Sequence, residues 1–220
     1  MSVSSKPKIK HIAIFLLILT IPILSQSKID NGIFMISEFI ASEKFSEISD
    51  SLSDDELIDL VYLKAVDYFD SNYSDALLAL SFAFLPFNKM PLQIPLFGIH
   101  VNVPLPSVKD SIFILKINNL PKILFFDSPQ GAFGDKDKTA HFFGNAFLSY
   151  NLGFSNIPEF SGIFVELFES SFKVSGGLDA RDLTANKLGE TFGEALKRNR
   201  QVLPSHVLNL YLLTQLKIIR

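Results

Sequence analysis

Ionisable side chains gather at ordered spacing in one region of this sequence. Asp135-Lys136-Asp137-Lys138-Thr139-Ala140-His141-Phe142 is followed about forty residues later by Asp179-Ala180-Arg181-Asp182-Leu183-Thr184-Ala185-Asn186-Lys187-Leu188-Gly189, with Glu166 and Glu169 between them in an apolar stretch. On a helix starting near Asp137, the side chains of Asp137, His141 and Asn145 recur every four residues and share a face. A carboxylate four residues before a histidine can hydrogen-bond the imidazole, fix its tautomer and raise its pKa. That suits a general acid–base group or a metal ligand. The structural alternative is a helix N-terminus at which Asp135 and Asp137 satisfy free N–H groups and the macrodipole, with His141 half-buried. One histidine without a second His or Cys is a poor zinc site by itself.

The second cluster adds to the first. Asp179 suits an N-cap with Asp182 three residues on, yet Asp182, Asn186, Gly189 and Gly193 also form one stripe. A glycine inside a helix costs about 1 kcal/mol relative to alanine, so two on one face imply close packing. The expected neighbour is the His141 helix or the Glu166 helix, whose Gly144 and Gly162 are similarly placed. Gly162, Glu166 and Ser170 share a face, which points Glu166 inward, where it needs a partner such as Lys138, Arg181 or His141. A solvated face holding both glutamates is the alternative.

The elements that must position these groups are mostly helices. Residues 33–48 read as a modestly amphipathic helix. Ser53-Asp54-Asp55-Glu56 is a capping box that starts a helix at 54, reaching Phe69 or Asp70. A third helix, from Ser74 or Asp75 to Leu85, is apolar almost all round over Ala76–Phe84 and therefore buried. Prolines at 91, 95, 104 and 106 forbid helix over Met90–Pro106 and favour strands at a sheet edge. Ser111–Asn118 and Lys122–Phe126 suit two more strands, although periodicity leaves helix open for such short runs. Asp127–Gly134 is loop by composition. Helices then follow over Lys138–Gly153, Pro158–Phe172, Ala180–Arg198 and Ser205–Ile219, with Gly176-Gly177 as a tight connection. The expected fold is mainly α with a small β-rich insert (α+β): a helical bundle with a short antiparallel strand region around residues 92–126.

Lys6, Lys8 and Lys10, the apolar run Ile12–Leu24 and the polar turn at Ser25-Gln26-Ser27-Lys28 have the layout of a secretory signal peptide over residues 1–27. The apolar run is shorter than the ~20 residues of a spanning helix, which favours export to the periplasm or cell envelope of a bacterium over an inner-membrane anchor at residues 12–24. Residues 28–220 then form a single domain: helices over 33–86, strands and loops over 90–127, a three-helix module over 135–198 and a tail helix over 205–219. Without cysteine, neither disulfides nor a lipid-modified N-terminal cysteine is possible, so the core must stabilise the fold. Removing residues 1–27 takes away three of the 20 basic residues and none of the 23 acidic ones, leaving a net charge of −6. A nucleic-acid partner is excluded on that balance.

The order Asp-Lys-x-x-His (137–141), an inward Glu166 and Arg-Asp-Leu-x-x-Asn-x-x-Gly-x-x-x-Gly (181–193) resembles VanZ-like proteins, associated with teicoplanin resistance. It is still more similar to a family of exported lipoprotein-type proteins of unknown function with the Asp-Lys…His and Asp-Leu-x-Ala-Asn-x-x-Gly elements. The resemblance spans residues 135–196. It implies a compact set of helices in or on the envelope, with Asp137, His141, Glu166, Asp182 and Asn186 on its polar inner face. VanZ-like proteins span the membrane several times, whereas no run of that length follows residue 27 here.

Two functional expectations result. The first is an envelope module, structural or binding, in which Asp137, Lys138, Asn145, Arg181 and Asn186 join His141, Glu166 and Asp182 in a buried polar cluster, and its partner is an envelope lipid, glycan or protein. The second is a hydrolase acting on an envelope lipid or glycan. There His141 is the base, Glu166 or Asp182 its orienter, and Asn186 holds substrate; a divalent metal, zinc or manganese, would sit on Asp137, His141, Glu166 and Asp182. Peripheral membrane attachment through the tail helix, with Lys217 and Arg220, is a further expectation.

Overall fold

The computed structural model describes residues 23–94, 99–151 and 180–216. In chain order the elements are α1 (Ile23–Ala41), α2 (Glu43–Ser49), α3 (Asp54–Tyr68), α4 (Tyr73–Ala83), β1 (Lys89–Ile94), β2 (Ile99–Pro104), α5 (Asp110–Asn119), α6 (Lys138–Asn151), α7 (Ala180–Arg198) and α8 (Pro204–Leu216). The fold is mainly α with a small antiparallel insert, as expected. Among the described residues, no helix is long and apolar enough to cross a membrane.

Local chemistry explains most boundaries. The Ser53 N–H donates to the Glu56 carboxylate at 2.9 Å, closing the box that opens α3. Asn72 accepts from the Asp75 N–H at 3.2 Å and starts α4. The expected helix over 33–48 is two: α1 ends at Ala41, and Ser42 accepts from the Phe45 N–H to cap α2. The Asp59 carboxylate on α3 accepts from the Ser205 N–H at 2.9 Å and from its hydroxyl, so one helix caps another and α8 is tied to α3.

α4 is the central rod. Its residues Ala76–Ser81 and Ala83 are all buried, and it packs against α1, α3 and α6. A set of rings welds α3, α4, α6 and α7 together. Phe143 stacks on Phe84 and Tyr62 with centroids 5.4 and 6.4 Å away, and Phe142 stacks on Phe192 at 5.3 Å.

The two further strands expected after Pro106 are something else. β1 and β2 pair antiparallel from Lys89↔Pro104 to Ile94↔Ile99, whereas Ser111–Asn118 lies inside helix α5. There Phe113, Lys116 and Leu120 are buried while Ile114 and Leu115 are exposed, a helical spacing set by what lies inward. The buried Lys116 ammonium donates to the Ala83 and Leu85 carbonyls at 3.0 and 2.7 Å and sits 4.6 Å from the centre of the Phe113 ring. It thereby satisfies carbonyls at the C-terminus of α4. Lys122–Phe126 is not strand because its backbone groups are already taken. Asp54 accepts from the Lys122 and Ile123 N–H groups, the Ser128 hydroxyl accepts from the Phe125 N–H at 2.9 Å, and the Lys122 carbonyl accepts from the Asp135 N–H at 2.8 Å. The helix expected over Pro158–Phe172 and the Gly176-Gly177 connection lie outside the described residues.

Candidate functional site

The site is built where α6 lies along α7. A left-handed Gly134 (φ 55°) turns the chain so that Asp135 enters the core beside Lys122. The Asp135 and Asp137 carbonyls then accept from the Lys138, Ala140 and His141 N–H groups, and α6 begins. Opposite, a Cβ on Gly189 would overlap the Phe142 carbonyl oxygen, and one on Gly193 would overlap that of Ala146. The Asp182–Gly193 stripe therefore does mark close packing. Its neighbour is the His141 helix, one of the two expected, met at the backbone of Phe142 and Ala146; Gly144 is buried in α6, and Gly162 lies outside the described residues.

That approach brings Asp137, Lys138, His141 and Asn145 from α6 against Asp182 and Asn186 from α7. Lys138, His141 and Asp182 are 6, 5 and 3 % exposed, so the group is inside the protein. Lys138 Nζ lies 2.6 Å from Asp182 Oδ1 and 3.0 Å from Asp137 Oδ2. His141 Nε2 lies 3.3 Å from the same Asp182 oxygen. The carboxylate at the ring is thus Asp182; Asp137, four residues before His141, meets Lys138. Asp137 Oδ1 is buried and has no hydrogen-bond partner among the described residues.

The asparagines determine which ring nitrogen carries a proton. Asn145 Nδ2 lies 3.0 Å from the His141 carbonyl, which only accepts, so this atom is the amide nitrogen. Its other N–H meets Asn186 Oδ1 at 2.7 Å, which makes that atom an oxygen. The same oxygen lies 3.1 Å from His141 Nδ1. A proton on Nδ1 completes the bond to Asn186 Oδ1, and Nε2 faces the Asp182 carboxylate. Burial pulls the His141 pKa below its ordinary value, against the upward pull of Asp182 and Asn186. The sequence expectation, a raised value, is corrected: desolvation outweighs the carboxylate. Burial also opposes charge on Lys138, but its bonds to Asp182 and Asp137 win and raise its pKa.

Arg181 faces a different partner. Its Nε donates to Asp135 Oδ1 at 3.0 Å, and the Ser128 hydroxyl donates to the other Asp135 oxygen. Burial pushes the Asp135 carboxyl above the ordinary range, against those two partners. This brace ties the loop before α6 to the start of α7. Asp135 thus bonds side chains and does not cap α6, as a structural reading of the sequence would have it. Ser128 is the residue sequence reasoning misses, because it lies in the Asp127–Gly134 loop, where no periodicity signals it. Farther along, the Ser149 hydroxyl bonds the Glu190 carbonyl at 2.9 Å and Glu194 Oε1 at 3.1 Å, extending the polar seam between the helices.

Of the expected site residues, the structure assembles Asp137, Lys138, His141, Asn145, Asp182 and Asn186. Glu166, Glu169 and Asp179 lie outside the described residues. One ligand atom each from Asp137, His141 and Asp182 lies within 4.8 Å of the others, a spacing that could hold a metal ion. Comparison with family models, with curated proteins and with solved structures returns no match for this chain.

Proposed function

We propose that the chain is an exported cell-envelope protein, a periplasmic structural or binding module of the VanZ-like type, in which the Asp137–Lys138–His141–Asp182 cluster locks α6 to α7. The observation that supports this most is the state of the cluster: Lys138, His141 and Asp182 are buried, Asp137 is partly buried, and the groups are paired across two helices in glycine-spaced contact. Such a network sets the register of a helix pair, because each group displaced from its partner would be left desolvated. The motif order at 137–193 and the leader-like residues 1–27 support the envelope setting, and an envelope lipid, glycan or protein is the partner.

The test is urea unfolding of the full chain against Asp182→Ala. Removing that carboxylate leaves Lys138 buried beside one acid, and a loss of about 3–5 kcal/mol is expected, the cost of breaking a buried pair. Unchanged stability, with some enzymatic activity lost instead, would overturn the structural reading in favour of a catalytic one.

A further inference from the structure

We infer that α8 is an interfacial anchor for an anionic lipid surface: its outward leucines enter the headgroup layer, and the basic residues before and after it pair with lipid phosphates. The inference narrows the envelope partner proposed above to a lipid surface, and it uses neither the α6–α7 cluster nor a cut at residue 27.

Uncovered apolar surface is concentrated on this helix. α8 is tied to α3 along one side, where Asp59 accepts from the Ser205 N–H and Asp55 from the Asn209 amide at 3.2 Å, and it buries Val207 and Leu208 in the core. Leu210, Leu212 and Leu213 nevertheless stay 45, 42 and 56 % exposed within four positions. The exposed Phe126 ring continues this surface through Tyr211, whose ring centre lies 5.8 Å away. Single exposed leucines are ordinary on any protein, whereas a contiguous apolar set marks a contact surface.

Charge identifies what the surface meets. Residues 195–220 hold five of the chain's 20 basic residues, Lys197, Arg198, Arg200, Lys217 and Arg220, and none of its 23 acidic ones. Arg198 and Arg200 are exposed in the turn before α8, and Lys217 and Arg220 follow it in sequence, with no Asp, Glu, Lys or Arg from Gln201 to Leu216. Of the acids beside the helix, Asp59 and Asp55 are engaged by Ser205 and Asn209, and Asp127 acts on Tyr211 together with Arg181, of opposite sign. A 13-residue helix is too short to span a bilayer. Apolar along its length and basic at both ends, it suits the interface, where acyl chains receive the leucines and phosphates receive the cations. The same charges disfavour a second copy of the chain as the occupant. Whether two such helices lay parallel or antiparallel, basic ends would meet basic ends, and like charges set opposite each other cost affinity.

The chain has no tryptophan, so one placed on α8 reports from that helix alone. Full-length Leu213→Trp is titrated with vesicles of equal parts phosphatidylcholine and phosphatidylglycerol, and with vesicles of phosphatidylcholine only. Leu115→Trp, at an exposed position of α5, is the control, and residues 12–24 are present in both chains. Emission from α8 should shift to the blue on the anionic vesicles and be quenched by brominated acyl chains, with little change on neutral vesicles or in the control. Leu210→Trp gives a second reading from the same face. Adding Arg198→Gln or Lys217→Gln should weaken lipid affinity about 5-fold each. No shift at either α8 position overturns the anchor, as does an equal shift on neutral vesicles or in the control, or an affinity unchanged in both charge variants. A shift that appears without lipid and grows with protein concentration would put a second copy on this face and overturn it too. Each of these failures leaves the Asp182→Ala unfolding result standing, so the two readings fail separately.

Discussion

Lys116 shows what a single buried charge does to this protein. Its amine lies among the Ala83 and Leu85 carbonyls and the Phe113 ring, and burial pulls its pKa down to about 7 from the ordinary 10.5. A depression of that size corresponds to on the order of 5 kcal/mol of differential stability between the charged and neutral forms. The sign follows from proton counting. Between about 7 and 10.5 the unfolded chain keeps a proton that the folded chain has released, so stability contributed by this group rises with pH across that window. Below it both states are protonated and the folded state bears the full desolvation cost. Lys116→Met keeps most of the volume and removes the titration. Wild type should therefore gain stability relative to the variant between pH 6.5 and pH 9.5, measured by urea unfolding at each pH; parallel curves would refute the assignment. Asp182 and Lys138 differ from Lys116 in one respect. They desolvate each other's charge and compensate it, which is why the Lys138 value moves the other way.

Two glycines set the distance between helices α6 and α7, and with it the cluster geometry. Replacing Gly189 by alanine gains roughly 1 kcal/mol of helix propensity. The new methyl, however, would overlap the Phe142 carbonyl, which is backbone and cannot rotate away. Overpacking of this kind costs about 1–3 kcal/mol, occasionally more, so the clash wins. Gly189→Ala should lower stability by that amount, and Gly193→Ala, against the Ala146 carbonyl, should act likewise; a Tm equal to or above wild type for both would show that the helices can part at no cost. The Asp182–Gly193 stripe, helices starting at 138 and spanning 180–198, and the shared face of Asp137, His141 and Asn145 are all legible in the sequence, because each obeys a helical period. What was not legible has a common physical origin. The α5 segment is rich in β-branched residues and reads as strand until Lys116 is seen to need two carbonyls on α4. Residues 122–126 read as strand until Asp54 and Ser128 are seen to occupy their N–H groups. The partner of each charge was equally hidden: Asp182, forty-one positions from His141, takes the ring, while Asp135 takes Arg181. Spacing determines which face a residue occupies, and tertiary contact determines what it meets there.

At the scale of the whole molecule, a core without disulfides must hold together a chain proposed to work outside the cytoplasm. The aromatic set of Tyr62, Phe84, Phe142, Phe143 and Phe192 is fully buried and joins four helices, and α1 adds Ile33, Ile36 and Ile40 to the same core, each at most 1 % exposed. Where the proposed leader ends therefore matters. A cut after Ser27 falls inside α1, yet the anchors from Ile33 onward lie beyond it, with Ile29 also packed against the core. The removed residues include three of the chain's lysines and none of its acids, so the remaining protein is acidic and keeps its core contacts from α1. Expression of the full chain in a bacterial host should then yield, in the periplasmic fraction, a product beginning at or near Lys28 by N-terminal sequencing. A variant lacking residues 1–27 should stay in the cytoplasm and unfold in urea at the same midpoint as the exported product. Cytoplasmic retention of the full chain at its full mass would rule out export. A lower midpoint for the shortened chain than for an uncleaved one would mean instead that residues before Lys28 belong to the folded domain, and the leader reading of α1's first turns would fall with it.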